Sequence, residues 1–251
     1  MTADLSGRLA LVTGALGKLG PVWIEALAGA GARVVGVDVR AGEVDGAESV
    51  EVADVTDREA LLALRERIGA PDVLVNNAGI DLPPSGDAGS QAIEDVPLDD
   101  FRRVLDVNLT GTFLATQVFG SAMRDAGRGS IVNIGSLYAG IAPDPSMYDH
   151  LDLDPPFLKP PAYGASKAGV VSLTRYFARL WGPHGVRVNA LSPGGVLGGQ
   201  DSEFVRKFTA RTPLRRLGET ADLTGPLLFL ASDASSYVTG HELRVDGGFT
   251  A

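Results

Sequence analysis

Residues 9–20 read Leu9-Ala10-Leu11-Val12-Thr13-Gly14-Ala15-Leu16-Gly17-Lys18-Leu19-Gly20, and this stretch decides the fold. A short apolar, β-prone run breaks into a glycine-rich turn that leads straight into helical periodicity. That is the context of a dinucleotide pyrophosphate site, because glycines let backbone approach phosphate and a helix N-terminus supplies unpaired N–H groups and partial positive charge. A tight turn that only packs helix on strand would give the same spacing.

Working outward, further apolar runs at 34–37, 73–75, 131–134 and 186–191 are apolar on both faces, as parallel strands covered on both sides must be. Helical segments are predicted between them at 22–28, 58–68, 99–123, 162–181 and 221–231, several closed by Gly29, Gly69, Gly127 or Gly182. A last short strand is predicted at 242–245. The βαβ alternation over 251 residues predicts one α/β domain with a doubly wound parallel sheet. The two long irregular stretches are 80–97 and 140–161.

Composition narrows the chemistry. A net charge of -9 without a Lys/Arg cluster disfavours nucleic acid and anionic membranes. No run of eighteen apolar residues predicts a membrane span, and no leader-like segment opens the chain, so a cytoplasmic protein is expected. With no cysteine, and with His150, His184 and His241 far apart, no metal is expected.

Within Tyr163-Gly164-Ala165-Ser166-Lys167 one helical turn sets a phenol beside an ammonium. A cation about 5 Å away at a dielectric of about 20 favours phenolate by roughly 3 kcal/mol, so Tyr163 is expected to exchange protons near neutral pH. Asp38, at the end of the second strand, can accept hydrogen bonds from a ribose diol, which favours NAD over NADP. Arg40 and Lys18 leave NADP possible. Asp54-Val55 follows a third apolar stretch, Asn76-Asn77-Ala78-Gly79 closes the strand at 73–75, Asn108 interrupts a helical segment, and Ser136 ends the strand at 131–134.

In this order the glycine-rich turn, Asn76-Asn77-Ala78-Gly79, Asn108, Ser136, Tyr163 with Lys167, Asn189 and Pro193-Gly194 resemble the short-chain dehydrogenase/reductase family across essentially the whole chain. The segments Pro160-Pro161-Ala162-Tyr163 and Ser192-Pro193-Gly194-Gly195-Val196 are similar to members acting on sugar acids or in acidic-sugar biosynthesis. The resemblance implies a seven-stranded Rossmann-like sheet and a nicotinamide-dependent alcohol/ketone oxidoreductase. It implies Tyr163 as general acid/base, Lys167 as its pKa-lowering neighbour and ribose contact, Ser136 on the reacting oxygen, and Asn108 as anchor of a water relay. It implies cofactor contacts from Gly14, Gly17, Lys18, Leu19, Gly20, Asp38, Asp54, Val55, Asn77, Ala78, Gly79, Pro193, Gly194 and Val196. It also implies a homo-oligomer, tetramer or dimer.

Three departures stand out. Lys18 occupies the middle glycine position of the family turn. Ser136 and Tyr163 are 27 positions apart, about twice the family's usual spacing, so 140–161 reads as an insertion beside the site. The family's threonine after the Pro-Gly turn is absent from Val196-Leu197-Gly198-Gly199-Gln200.

The insertion carries Asp144, Tyr148, Asp149, His150, Asp152, Asp154 and Lys159, a set suited to a hydroxyl-rich small molecule. Tyr138, Tyr148, His150, Gly195 and Gln200 join Ser136 as substrate-side candidates. Residues 197–217, with Phe204, Arg206, Lys207, Arg211, Arg215 and Arg216, are expected to form a basic lid over an anionic substrate. Two other readings are a carbonyl reductase on a polyketide or acyl substrate and a nucleotide-binding protein without turnover.

Overall fold

Strands β1 (Leu9–Thr13), β2 (Arg33–Asp38), β3 (Ser49–Val52), β4 (Val73–Asn76), β5 (Gly129–Ile134), β6 (Val186–Pro193) and β7 (Glu242–Val245) form one sheet in the order β3-β2-β1-β4-β5-β6-β7. The computed structural model describes residues 3–81 and 92–251. Every pairing is parallel. The strand order reverses between β1 and β4, the place where open α/β sheets take ligands at the carboxyl ends of their strands.

Helices α1 (Gly20–Gly29), α2 (Arg58–Ile68), α3 (Leu98–Leu105), α4 (Gly111–Ala126), α5 (Pro161–Trp181), α6 (Ser202–Arg211) and α7 (Ala221–Ala231) follow in chain order. One face of the sheet buries Trp23, Ile24 and Leu27 of α1 with Leu223, Leu227 and Leu230 of α7. The other buries Leu61 and Leu64 of α2, Phe119 and Met123 of α4, and Phe177 and Trp181 of α5. Gly120 makes the second packing possible, since a Cβ there would lie 2.3 Å from the Trp181 ring. Helix starts follow their caps: the Asp57 carboxylate accepts from the Glu59 and Ala60 N–H groups at α2, and Asp201 accepts from Phe204 at α6.

One expected element differs. The helix predicted at 99–123 is broken into α3 and α4 by a π turn, Asp106–Thr110, with Asn108 at its centre. Its side chain accepts from the Ile80 N–H at 2.7 Å and donates to the Ile80 carbonyl at 2.9 Å, while the Thr112 hydroxyl donates to the Asn108 carbonyl at 2.8 Å. Two backbone bonds to another segment outweigh the regular ladder, and such π turns recur at functional sites. The irregular stretch 80–97 lies partly outside the described residues; its described end holds a short turn, Ile93–Asp95.

The 140–161 segment, expected to be an insertion, joins a small apolar cluster. Met147, Tyr148 and Phe157 pack with Phe208 of α6, Leu137 and Leu217. Phe208 is 2% exposed and its ring stacks on Phe249 at 4.4 Å. Phe208→Ala is therefore expected to lower unfolding stability in urea by about 3–5 kcal/mol. A loss below about 1 kcal/mol would mean that this cluster does not hold the insertion.

Candidate active site

The carboxyl ends of β1, β4 and β5 converge with the N-terminal half of α5. Thr13 Oγ1 accepts from the Asn77 and Ala78 N–H groups, each at 3.1 Å, and the Asn77 amide donates to the Thr13 and Gly14 carbonyls at 3.0 Å. The Trp23 indole N–H donates to Asn77 Oδ1 at 2.8 Å. Gly14, at φ +66°, lets the turn lie on Ala78, whose Cα would stand 2.8 Å from a Cβ there.

On α5, Lys167 is buried and donates to the Ile134 carbonyl at 2.8 Å, with its Nζ 5.8 Å from the Tyr163 ring centroid. Tyr163 and Ser136 hydrogen-bond one another. Ser136 Oγ also accepts from the Tyr138 N–H at 3.2 Å, and Asn108 Nδ2 donates to Ser166 Oγ at 3.1 Å. A Cβ on Gly79 would stand 3.3 Å from Asn108 Oδ1 and 3.5 Å from Lys167 Nζ. Ser136, Tyr163, Lys167 and Asn108 thus meet at one place.

The electrostatics differ from the sequence expectation. Burial, then the charge of Asp81, pushes the Tyr163 phenol up to about 12 against a weaker downward pull from its Ser136 bond. Burial pulls the Lys167 ammonium down to about 8, opposed by Asp81. Desolvation thus opposes the charged form of each, raising the phenol and lowering the ammonium.

Sequence reasoning missed Asp81, two residues beyond Gly79, and placed Lys159 only among the insertion's polar residues. Lys159 Nζ donates to Asp81 Oδ2 at 2.6 Å and lies 5.3 Å from the Tyr163 ring centroid and 5.7 Å from that of Tyr138. The signal was a lone Asp-Leu-Pro-Pro beginning one residue after the Asn-Ala-Gly turn.

Other candidates sit as follows. Asp38 Oδ2 accepts from the Leu16 N–H at 3.0 Å and Oδ1 from Arg40, so the carboxylate fixes the glycine-rich turn. Gly17 donates its N–H to the Gly14 carbonyl; Leu19 and Gly20 open α1, which starts without a side-chain cap. Lys18 reaches across to the Val196 carbonyl at 3.3 Å. Asp54 accepts from the Thr56 backbone and hydroxyl, whereas Val55 is buried against Gly111. Pro193 ends β6, Gly194 touches Asp246, and Gly195 lies against Phe208 and Leu217.

Three substrate-side candidates have partners within the protein. Gln200 bonds its own loop, donating to the Val196 carbonyl and accepting from Gly198, each at 2.8 Å. Tyr148 is buried between Phe157 and Phe204 and hydrogen-bonds Tyr138. His150 Nε2 lies 2.8 Å from Asp201 Oδ1, and its Nδ1 lies 3.3 Å from Lys207 Nζ. The lid expected at 197–217 is likewise not a bare basic surface. Lys207 pairs with Asp149, Arg211 with Asp144 at 2.5 Å, Arg206 with Glu203 and Arg216 with Asp222. Arg211 and the Ser146 turn hold the Asp144 carboxyl at about 2. Opposite charges in the insertion, which a linear reading does not pair, neutralise the helix. Among the described residues no helix is long and apolar enough to cross a membrane, and no His/Asp/Glu cluster suits a metal.

Two family models match the chain: short chain dehydrogenase over residues 8–148, and enoyl-(acyl carrier protein) reductase over residues 156–250. The chain belongs to the short-chain dehydrogenase family. It is 37% identical to a galactitol 2-dehydrogenase (L-tagatose-forming) of Cereibacter sphaeroides, covering 98% of this chain and 96% of that one. Among solved structures it is similar to a short-chain dehydrogenase of Leptospira borgpetersenii with bound NAD+, with TM-score 0.87, 35% identity and coverage of 100% and 95%. It is also similar to a gluconate 5-dehydrogenase of Burkholderia cenocepacia in complex with NADP and tartrate, with TM-score 0.83, 30% identity and coverage of 99% and 97%. As a short-chain dehydrogenase it is an enzyme acting on CH–OH groups with a nicotinamide cofactor. The residues present fit that group: Gly14 keeps the turn low, the first N–H groups of α1 have no side-chain cap, and Asp38 stands at the end of β2.

Proposed function

We propose an NAD(H)-dependent oxidoreductase that interconverts a secondary alcohol and a ketone on a polar, polyhydroxylated small molecule, with Tyr163 as general acid/base. The observation that carries this is the half-buried Tyr163, bonded to Ser136, one turn from Lys167 and facing the Lys159–Asp81 pair. The bound dinucleotide supplies a hydride acceptor for oxidation or a donor for reduction. On oxidation the Tyr163 oxygen takes the proton of the reacting hydroxyl; on reduction it returns one. The Ser136 hydroxyl donates to the reacting oxygen as its negative charge grows. Lys167 and Asn108 hold the ends of β5 and of the 77–80 turn in register with α5.

The polar wall of Tyr138, Asp81 and Lys159 supports a hydroxyl-rich substrate over a polyketide or acyl chain. The named activity of the galactitol relative agrees with it. A screen of NADH formation with galactitol, gluconate and simple secondary alcohols tests the reading, and activity confined to the simple apolar alcohols would sink it.

The Asp38 carboxylate supports NAD, since a 2′-phosphate would meet a like charge and the nearby Arg40 is already paired to it. Lys18, at the site of a family glycine, offers a cation for a cofactor phosphate. Asp38→Ser is expected to move the kcat/KM ratio of NAD+ to NADP+ at least about tenfold toward NADP+; an unmoved ratio would remove Asp38 from cofactor choice. The reading includes a homo-oligomer, supported by exposed Tyr176 and Leu180 on α5 beside a groove of Leu109, Phe113 and Leu173.

A further inference from the structure

The geometry points to Asp81 and Lys159 as a recognition pair that reads the additional hydroxyl groups of a neutral polyol, an inference that rests on the alcohol oxidoreductase reading above. The two partners are unequally placed. The Lys159 side chain is 7% exposed and that of Asp81 33%, across a 2.6 Å bond. Lys159 therefore backs the pair, its ammonium close to the rings of Tyr138 and Tyr163, while the carboxylate is the half that a solute meets. A carboxylate has about four acceptor positions and can take hydroxyl donors alongside other partners.

Position makes this more than a surface ion pair. Asp81 directly follows Ile80, whose N–H and carbonyl are both fixed by Asn108, so the π turn sets where the carboxylate stands. The charge of Asp81 is felt at Tyr138, Tyr148, Tyr163 and Lys167, which surround the proposed reacting centre. Lys159 compensates that charge, leaving a wall that is polar but close to neutral. Such a wall accepts hydroxyl groups and meets an anionic substrate with a like charge at its accessible half, which discriminates against sugar acids. A pair that only tied the insertion to the 77–81 segment would affect every substrate alike.

Steady-state oxidation of galactitol, gluconate and cyclohexanol by the wild type and by Asp81→Ala, Lys159→Met and Lys159→Arg separates these possibilities, with NADH fluorescence reporting that each variant binds dinucleotide. The wild type is expected to have a higher kcat/KM for galactitol than for gluconate. Asp81→Ala is expected to raise the galactitol KM at least about tenfold more than the cyclohexanol KM. Lys159→Arg should keep the preference for galactitol over gluconate, and Lys159→Met, which leaves the Asp81 charge uncompensated, should widen it. Parallel changes for galactitol and cyclohexanol, or a wild-type preference for gluconate, would overturn the inference. If no alcohol turns over, the oxidoreductase reading fails by itself, and calorimetry of galactitol with the NADH-loaded protein decides. Binding weakened about tenfold in Asp81→Ala supports the pair; equal binding, or none to the wild type, overturns it.

Discussion

Tyr163→Phe is expected to lower kcat about 10²- to 10⁴-fold, the usual contribution of general acid/base catalysis, while NADH fluorescence shows binding retained. The phenyl ring keeps the packing of α5 and removes only the oxygen that bonds Ser136 and carries the proton. The pH dependence has a definite sign. With its phenol pushed up to about 12, Tyr163 is protonated throughout the neutral range and stands ready as an acid for ketone reduction. Alcohol oxidation needs the phenolate, so its rate should climb with pH across the alkaline range, and the climb should vanish in the Phe variant. Wild-type turnover by Tyr163→Phe would remove Tyr163 from the mechanism.

Lys167→Met is the second large effect, and it separates catalysis from stability. Activity should fall by orders of magnitude, since the amine that sits between Tyr163 and the Ile134 carbonyl is gone. Stability should behave differently, because burying an ammonium is costly and Met fills a similar volume without charge. Pulling a lysine from its ordinary 10.5 to about 8 corresponds to roughly 3 kcal/mol at neutral pH. Against this, the orphaned Ile134 carbonyl costs about 1–3 kcal/mol, so the variant should be equal to the wild type or modestly more stable at pH 7.

The sign with pH follows from linkage. Between about 8 and 10.5 the unfolded chain holds the Lys167 proton that the folded chain has released, so the wild type gains stability relative to Lys167→Met as pH rises through that window. Below the window that contribution is lost. Urea unfolding of both proteins at pH 7 and pH 10 measures the difference, and a gap that does not change with pH would show that Lys167 is not buried as a charge.

Much of this architecture was legible in the residues. The predicted helices at 58–68 and 221–231 and the strand at 242–245 coincide with α2, α7 and β7. Apolar runs covered on both faces and helices closed by glycine leave little freedom, and the convergence of Ser136, Tyr163 and Lys167 follows from strands that all end on one edge. What was hidden depends on long-range pairing. The π turn at Asn108 exists because Ile80 offers two backbone partners, which no local propensity encodes. The direction of the Tyr163 shift depends on depth of burial, which spacing along a helix does not give. Arg211 and Lys207 looked free because their carboxylates, Asp144 and Asp149, lie more than fifty residues earlier in the chain.

That cross-chain matching has a mechanical outcome. Asp144, Asp149 and His150 on one side and Arg211, Lys207 and Asp201 on the other are joined over a shared ring stack. Neither half can swing out while its counterpart stays. A displacement of either segment therefore carries the other with it or breaks the ion pairs and the ring contacts between them together.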